Sequence, residues 1–410
     1  MRLKGLFVLL SFGAFTAYYI YEPIPEDIEE RWKLMLTNCL FRSLSHLADF
    51  SEVLGVKDYM GVMYFITFAE RVVPVSDARV RVTEEHFEGV EVVVYQPHQQ
   101  PHQQALRPAI IYLHGGGWCL GSSRMSPYDM LAREMVTELG AVVLSVEYRL
   151  PLACPPFPVP YEDVYRVVRY VLRRDVLARY AIPQGALAVS GTAARGANAC
   201  SVSSMGGRGG LTHDSLQSVQ LKVQALLILV LRPDLNTPSY QQNQNMPVYE
   251  DTKRYRFWAE YFSSDQIILS SMMTNTHNSP QSAPLLKLDK RSILRGLVDR
   301  KYNYSAPRVV WGGGGEASRW LADPRASPLL VPDAALRSLP KAYILTCEYD
   351  VLRDDGVMYV TRLRAAGVEV THQHYPHGFH GALLFSVWPT DFSIARRMTE
   401  NYIRWLRENL

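Results

Sequence analysis

The chain has 410 residues, enough for one large domain or two smaller ones, and its 43 lysines and arginines against 40 acidic residues leave a net charge of +3. Apolar residues make up 48% of it, the share of an ordinary globular protein. A balanced, scattered charge excludes a nucleic-acid-binding face, and the sequence contains no internal repeat.

The amino terminus differs from the rest. Gly5 to Tyr21 carries no charge, follows Arg2 and Lys4, and precedes Glu22, Glu26, Asp27, Glu29 and Glu30. A membrane-spanning helix needs roughly 17–25 residues, so the run sits near the lower limit. It ends in Tyr18-Tyr19-Ile20-Tyr21, aromatics suited to a membrane interface, where a cleaved signal peptide would have small residues. It reads as a signal anchor over residues 1–22 with a short cytosolic end and the rest of the chain in a lumen. A cleaved signal peptide is the rival reading. Asn303-Tyr304-Ser305 is a glycosylation acceptor triplet and agrees with a lumen. Of the cysteines Cys39, Cys119, Cys154, Cys200 and Cys347, none forms a metal-type CxxC pair, and a lumen would permit a disulfide.

Arg31 to about Phe68 has helical apolar spacing, and Arg79 to Val82 and Gly89 to Tyr95 alternate as paired strands. A polar loop, Gln96 to Gln104, leads to a buried strand from Pro108 to Leu113 that stops at His114-Gly115-Gly116-Gly117. Next come a helix near Tyr128 to Leu139, a strand from Ala141 to Val146 and a long amphipathic helix from Tyr161 to Tyr180. Strands follow at Gly185 to Ser190, Leu221 to Leu231, Lys341 to Thr346 and Val368 to His372, with a helix from Gly356 to Arg364 between the last two. The final helix, Ile394 to Leu406, places Ile394, Met398, Tyr402 and Trp405 on one face. Strands alternating with helices predict a mostly parallel sheet covered on both sides. The aromatic stretch Tyr255 to Phe262, in the long insertion before Lys341, reads as a cap over a pocket or as a packing layer.

Three glycines after a buried strand let backbone N–H groups approach a ligand closely. His-Gly-Gly-Gly at such a place is an oxyanion-hole segment of the lipase and esterase type, with a plain glycine-rich turn as the alternative. That scheme demands an acid and a histidine after late strands, in that order. Asp350 follows the strand Lys341 to Thr346, and His380 follows the next one. His380 is then the general base, and Asp350 orients it and stabilises the imidazolium. A metal held by His372, His374, His377 and His380 is the weaker reading, because no carboxylate or cysteine joins them at ligand spacing.

These residues carry a resemblance. His114 to Cys119, Tyr148-Arg149-Leu150, Glu162-Asp163-Val164-Tyr165, Ser239-Tyr240-Gln241, Tyr349 to Gly356 and Gly378-Phe379-His380-Gly381 resemble the arylacetamide deacetylase family, in the hormone-sensitive-lipase branch of the α/β-hydrolases. The Tyr18-to-Tyr21 end of the apolar run matches too. The resemblance implies an α/β-hydrolase fold with a helical cap. It implies a single-pass enzyme of the endoplasmic reticulum membrane with a lumenal catalytic domain, hydrolysing lipophilic carboxylic esters and aryl amides without cofactor or metal. It carries over Asp350 as acid, His380 as base, Gly115, Gly116 and Ala194 as oxyanion donors with His114 and Gly117 completing the motif, and a disulfide between Cys119 and Cys347. The expected organisation is the anchor over 1–22, a helical cap region over 23–75, and a catalytic domain over 76–410 with a cap insertion at about 235–335.

One piece departs from the family. Where it has Gly-Asp-Ser-Ala-Gly-Gly-Asn, this chain has Gly191-Thr192-Ala193-Ala194-Arg195-Gly196-Ala197-Asn198, so the nucleophile position is Ala193. The following Cys200 to Gly210 is glycine-rich, and each glycine costs a helix roughly 1 kcal/mol relative to alanine. Two readings compete. One is a catalytically dead relative that keeps the pocket and binds lipophilic esters. The other is a local frame slip over 191–217, since Thr-Ala codons read one base upstream yield Asp-Ser.

Overall fold

The computed structural model describes residues 7, 13–14, 16–98, 106–152, 156–192, 221–227, 237–247, 251–263, 266–273, 276, 320–321 and 323–410. Two helices open the described chain, α1 (Arg31–Val53) and α2 (Tyr59–Ala69). The helical pattern from Arg31 to Phe68 is thus interrupted once. Gly55 takes a left-handed φ of +66°, and Asp58 caps α2 by accepting from the Gly61 N–H at 3.1 Å. Then come β1 (Val80–Phe87), β2 (Val90–Pro97), β3 (Ala109–Leu113), α3 (Ser126–Leu139), β4 (Val142–Glu147), α4 (Val159–Val171) and α5 (Arg174–Arg179). The expected long helix from Tyr161 to Tyr180 is therefore two, because Arg173 turns to extended backbone ahead of α5. The chain continues with β5 (Leu187–Thr192), β6 (Val223–Leu227), α6 (Pro238–Gln242), α7 (Asp251–Phe262), α8 (Gln266–Met273), α9 (Asp333–Leu336), β7 (Lys341–Tyr349), α10 (Arg353–Ala365), β8 (Val370–Phe379) and α11 (Ser393–Asn409).

Among the described residues the strands form one eight-stranded sheet in the order β1-β2-β4-β3-β5-β6-β7-β8. β2 pairs antiparallel with both neighbours, and every pairing from β4 to β8 is parallel. The mostly parallel sheet expected from the sequence is present, and its central strands are buried on both faces, as parallel sheets require. Successive residues of β7 show the two layers. The Tyr343 ring meets Tyr402 and Trp405 of α11 at 6.0 and 5.2 Å, while Ile344 and Thr346 face Gly356 of α10. Ile394, Met398, Tyr402 and Trp405 are buried together, as the helical spacing predicted.

The acidic residues after the apolar run have partners in the fold. Glu30 accepts from the Ser393 N–H at 2.8 Å and Glu29 pairs with Arg397 at 2.6 Å, which fixes residues 22–30 to the start of α11. Among the described residues no helix is long and apolar enough to cross a membrane. The predicted anchor falls largely on residues 1–6, 8–12 and 15, outside the described set; residues 16–20 are helical.

Asp163 of α4 is fully buried beneath Arg149, which follows β4. The guanidinium donates through Nε and Nη2 to the two carboxylate oxygens at 2.8 and 2.7 Å, and Arg166 joins them. Burial alone would raise the Asp163 pKa, but the hydrogen bonds and charge of Arg149, with the charge of Arg166, outweigh it and hold the carboxyl below its usual range. A lowered folded-state pKa contributes stability that is present above the unfolded value, about 3.9, and is lost as pH falls through the folded value. Asp163→Asn should therefore cost about 2 kcal/mol at pH 7. Urea unfolding of both proteins at neutral pH and below the usual carboxylate range should show that difference shrink on acidification.

Candidate active site

Cys347 of β7 pairs with Tyr375 of β8, but Tyr349 pairs with Phe379. Between those pairs β7 passes only through Glu348, whereas β8 passes through Pro376, His377 and Gly378. In an unbroken ladder Asp350 would stand opposite Gly378. The bulge brings His380 opposite it instead, and because the slip is an even number of residues the side chain keeps its face. His380 Nδ1 consequently lies 3.0 Å from Asp350 Oδ1, with both residues buried. A carboxylate can only accept, so the proton sits on Nδ1 and Nε2 presents a lone pair. Asp350 Oδ1 also accepts from the Leu352 N–H at 2.8 Å. The bulge needs glycine at 378, since a Cβ there would stand 2.8 Å from Cys347 Sγ and 2.9 Å from Met398 Cε.

A continuous polar chain braces the acid. Asn243 Nδ2 donates to the Glu348 and Asp350 carbonyl oxygens, both at 2.9 Å. Arg353, at the start of α10, donates to Glu348 Oε1 at 2.8 Å, to Asp354 Oδ1 at 2.9 Å and to Gln242 Oε1 at 2.8 Å. Asp354 in turn accepts from the Ser239 N–H at 2.8 Å, and the Ser239 hydroxyl donates to Val351 O at 2.6 Å. On the far side of Glu348, His374 Nε2 lies 3.1 Å from Oε2, and Thr346 Oγ1 bridges His374 Nδ1 and His372 Nε2 at 3.0 and 2.8 Å. Burial, with His374 and Arg364 adding to it, pushes His372 down to about 4, so that ring is neutral at pH 7. Ser239-Tyr240-Gln241 and the residues after Asp350 thus act together, although they lie over 100 positions apart.

At the end of β3 the loop is shaped by its glycines. Gly116 has φ +128°, and a Cβ on it would lie 2.1 Å from Leu120 O. Gly117 follows at φ +60° and Trp118 at +71°, a conformation rare for a side-chain-bearing residue. His114 is buried and stacks on Tyr148, with ring centroids 4.2 Å apart. Its Nδ1 lies 2.8 Å from Gly115 O, and the Tyr148 hydroxyl donates to His114 O at 2.8 Å. The Gly115 N–H donates to the Tyr128 hydroxyl at 2.9 Å, and burial keeps that phenol far above its usual titration range. Gly115 is therefore committed to the fold, contrary to its expected role as a donor. Among the described residues the half-buried N–H groups of Gly116 and Gly117 have no protein partner and are the pair left to bind an oxyanion. Helix α7 lies over them: Phe257 packs against Gly117, and Trp118 stacks on Tyr261 with centroids 4.8 Å apart.

A sequence model described as the alpha/beta hydrolase fold matches residues 110–292 and 308–384. Arylacetamide deacetylase of Oryctolagus cuniculus is 40% identical over 407 residues, covering 98% of this chain and 99% of that protein. Neutral cholesterol ester hydrolase 1 of Bos taurus is 38% identical over 413 residues, with 98% of each covered. The chain belongs to the arylacetamide deacetylase family of α/β-hydrolases. The fold agrees: a thermostable esterase from Pseudomonas putida ECU1011 superposes with a TM-score of 0.60 at 22% identity, over 86% of this chain and 89% of that one.

Asp350 and His380 stand together, and the stretch Gly191 to Asn198, where the family has Gly-Asp-Ser-Ala-Gly-Gly-Asn, is where this chain departs. Strand β5 ends at Thr192 between β3 and β6, one residue before Ala193. Ala193 and Ala194 lie outside the described residues, as do Asn303 and much of the expected 235–335 insertion. Ser190 cannot replace a missing nucleophile, because its buried Oγ accepts from the Tyr402 hydroxyl at 2.9 Å in the layer beneath α11. The disulfide implied by the resemblance is not formed. Cys347 is a free thiol packed on Gly378, and Cys119 Sγ donates to Phe257 O at 2.9 Å. The histidines diverge: His372 and His374 share Thr346, His377 faces Asp27 at 3.4 Å and His380 faces Asp350. Sequence reasoning missed Tyr128, Asn243 and Arg353, none of which has a local signal for its long-range partner.

Filling the bulge tests this geometry. Gly378→Ala should destabilise the protein by about 1–3 kcal/mol through overpacking. Cys347→Ala in the same chain removes one of the three groups the new methyl meets, Met398 and Tyr375 remaining, so urea unfolding of the double variant should recover only part of that loss.

Proposed function

We propose that this chain is built as a serine carboxylic ester hydrolase, taking small lipophilic esters and aryl amides through an acyl-enzyme. The observation that carries this is the His380–Asp350 pair at the same sheet edge as the Gly116 and Gly117 N–H groups, which have no partner among the described residues. With a serine at position 193, His380 Nε2 takes the hydroxyl proton as the oxygen attacks the substrate carbonyl. The carbonyl oxygen becomes an oxyanion held by the Gly116 and Gly117 N–H groups. His380 then gives its proton to the departing alcohol or amine, and water repeats the cycle to release the acid. Asp350 keeps the proton on Nδ1 and stabilises the imidazolium throughout.

Ala193 favours a second reading for the chain as it stands: the same pocket holding lipophilic esters without cleaving them. A fluorophosphonate probe should not label this polypeptide. Ala193→Ser alone should recover little activity, because Arg195 occupies an inserted position and a roughly 1 Å misplacement costs about a hundredfold. Replacing residues 191–217 by a Gly-Asp-Ser-Ala-Gly-Gly-Asn elbow and its helix should give an active esterase. In that protein Asp350→Asn should lower kcat on the order of 10⁴-fold. A repaired protein that folds yet hydrolyses neither aryl nor short-chain esters would leave the binder reading in its place.

We place the catalytic domain in the lumen of the endoplasmic reticulum, held by the apolar run Gly5 to Tyr21 as a single-pass anchor, with Asn303 available for glycosylation. The charge-free run and its flanking basic and acidic residues support this. The protein should stay in the membrane pellet after an alkaline carbonate wash. Release into the supernatant, or an amino terminus that begins after Tyr21, would refute the anchor.

A further inference from the structure

Helix α1 turns a largely apolar face to the outside. Its buried positions Leu34, Asn38, Ser45 and Ala48 include two polar residues. Both polar side chains are satisfied internally, Asn38 by Glu22 Oε2 at 2.5 Å and Ser45 by the Tyr59 hydroxyl at 2.9 Å. Its outward stripe is Trp32, Leu36, Leu40, Leu47 and Phe50, each 46–62% exposed, at helical spacing over the whole helix. Charged Lys33, Arg42 and Asp49 sit at half-buried positions beside that stripe. Helix α2 contains no charged residue and exposes Phe65 and Phe68. Of the 18 large hydrophobic side chains exposed among the described residues, 12 lie between Trp32 and Val75, so the apolar surface is concentrated on this hairpin and its exit. An exposed apolar area of this kind marks an interaction site.

We propose that the outward face of α1 and α2 lies in the interfacial layer of a lipid bilayer. The position of the hairpin in the chain identifies the occupant. The apolar run ends at Tyr21, ten residues before α1 begins at Arg31. The helical end of that run is held against α1: the Tyr19 hydroxyl lies 3.2 Å from His46 Nδ1, and Arg42 stands over the Tyr19 ring at 4.8 Å. A membrane reached by the run therefore meets α1 beside it. Trp388, 87% exposed, adds an interfacial aromatic at the loop that Lys33 grips through Asp391 O at 3.0 Å. A face of this composition lies in the plane of the interface with its apolar side chains among the acyl chains.

The hairpin is also one layer from the site. Arg256 of α7 pairs with Glu52 at 2.9 Å and stands over the Tyr59 ring at 4.8 Å, while the next residue, Phe257, covers Gly117. Helix α7 thus bridges the hairpin and the oxyanion loop. The proposal rests on the anchor reading only for what delivers the face to the membrane.

The test uses the full chain reconstituted in phosphatidylcholine vesicles that carry a small fraction of phosphatidylcholine with a diazirine in its acyl chain. Photolysis and peptide mapping should place label on α1 at the stripe and on α2 at Phe65 and Phe68, in addition to Gly5 to Tyr21. A variant combining Leu36→Asn, Leu40→Asn and Leu47→Asn should lose label from α1 several-fold while its thermal unfolding stays close to that of the parent. Label confined to Gly5 to Tyr21 would overturn the proposal, as would cross-links from α1 to a second copy of the chain in place of lipid. If the variant does not fold, the map of the parent chain decides alone. Release by carbonate with α1 still labelled in intact vesicles would sink the anchor and leave this proposal standing; retention with α1 unlabelled would do the reverse.

Discussion

Leu113, Thr192, Tyr349 and Phe379 are the last residues of β3, β5, β7 and β8, and parallel pairing carries all four ends to one edge of the sheet. The candidate site hangs on that alignment. The Gly116 and Gly117 N–H groups stand in the loop after β3, position 193 follows β5, and Asp350 and His380 follow β7 and β8. Parallel order alone would leave the last two out of register. The extra length of β8 between Tyr375 and Phe379 corrects this, and it is possible only because Gly378 has no side chain to strike Cys347. One absent methyl group therefore sets the distance between acid and base.

Holding a buried carboxylate at that point imposes further demands. Asp350 and Asp354 are both essentially inaccessible, and an unpaired buried charge costs several kcal/mol. The fold answers with Arg353, whose guanidinium reaches Asp354, Glu348 and Gln242, and with Asn243, which holds the backbone on either side of the acid. The oxyanion loop is fixed by a separate set, Tyr128 beneath Gly115, Tyr148 on His114, and α7 above Gly117. These supports belong to different helices, so a disturbance in one need not loosen the other. Residues 22–30 reach the base side: Asp27 accepts from the Tyr349 hydroxyl at 2.5 Å, and Glu30 ties the same segment to α11.

The sheet was legible because its signals are local. Buried strands read as short apolar runs, and the α11 stripe of Ile394, Met398, Tyr402 and Trp405 reads directly from helical spacing. Asp350 and His380 were picked out by their order after two late strands; that each strand runs on to the residue directly before them, Tyr349 and Phe379, was not legible. What escaped depends on which strands become neighbours. Cys119 in the loop after β3 and Cys347 within β7 carry no local signal of their partners, which prove to be Phe257 O and Gly378. Gly115 looked equivalent to Gly116 until Tyr128, from the next helix, took its N–H. The acidic run after Tyr21 read as a topological flank, yet Glu22, Asp27, Glu29 and Glu30 each have a distant partner.

The two readings of Ala193 differ by less than the sequence suggests. A buried aspartate needs hydrogen bonds whether or not anything is catalysed, and His380 with the Leu352 N–H supplies them. The acid–base pair is thus stable in its own right and persists beside an alanine. The Gly116 and Gly117 N–H groups are different: nothing among the described residues satisfies them, and a ligand oxygen would. An ester carbonyl fits that place in its ground state through ordinary hydrogen bonds, and more strongly as an oxyanion. The two readings therefore share the Gly116 and Gly117 N–H groups and the His380–Asp350 pair, and part company at residue 193 and the turn that carries it. In the binder reading the carbonyl would be held and left intact; in the hydrolase reading, with serine on a well-formed turn, the same contacts would tighten as charge develops.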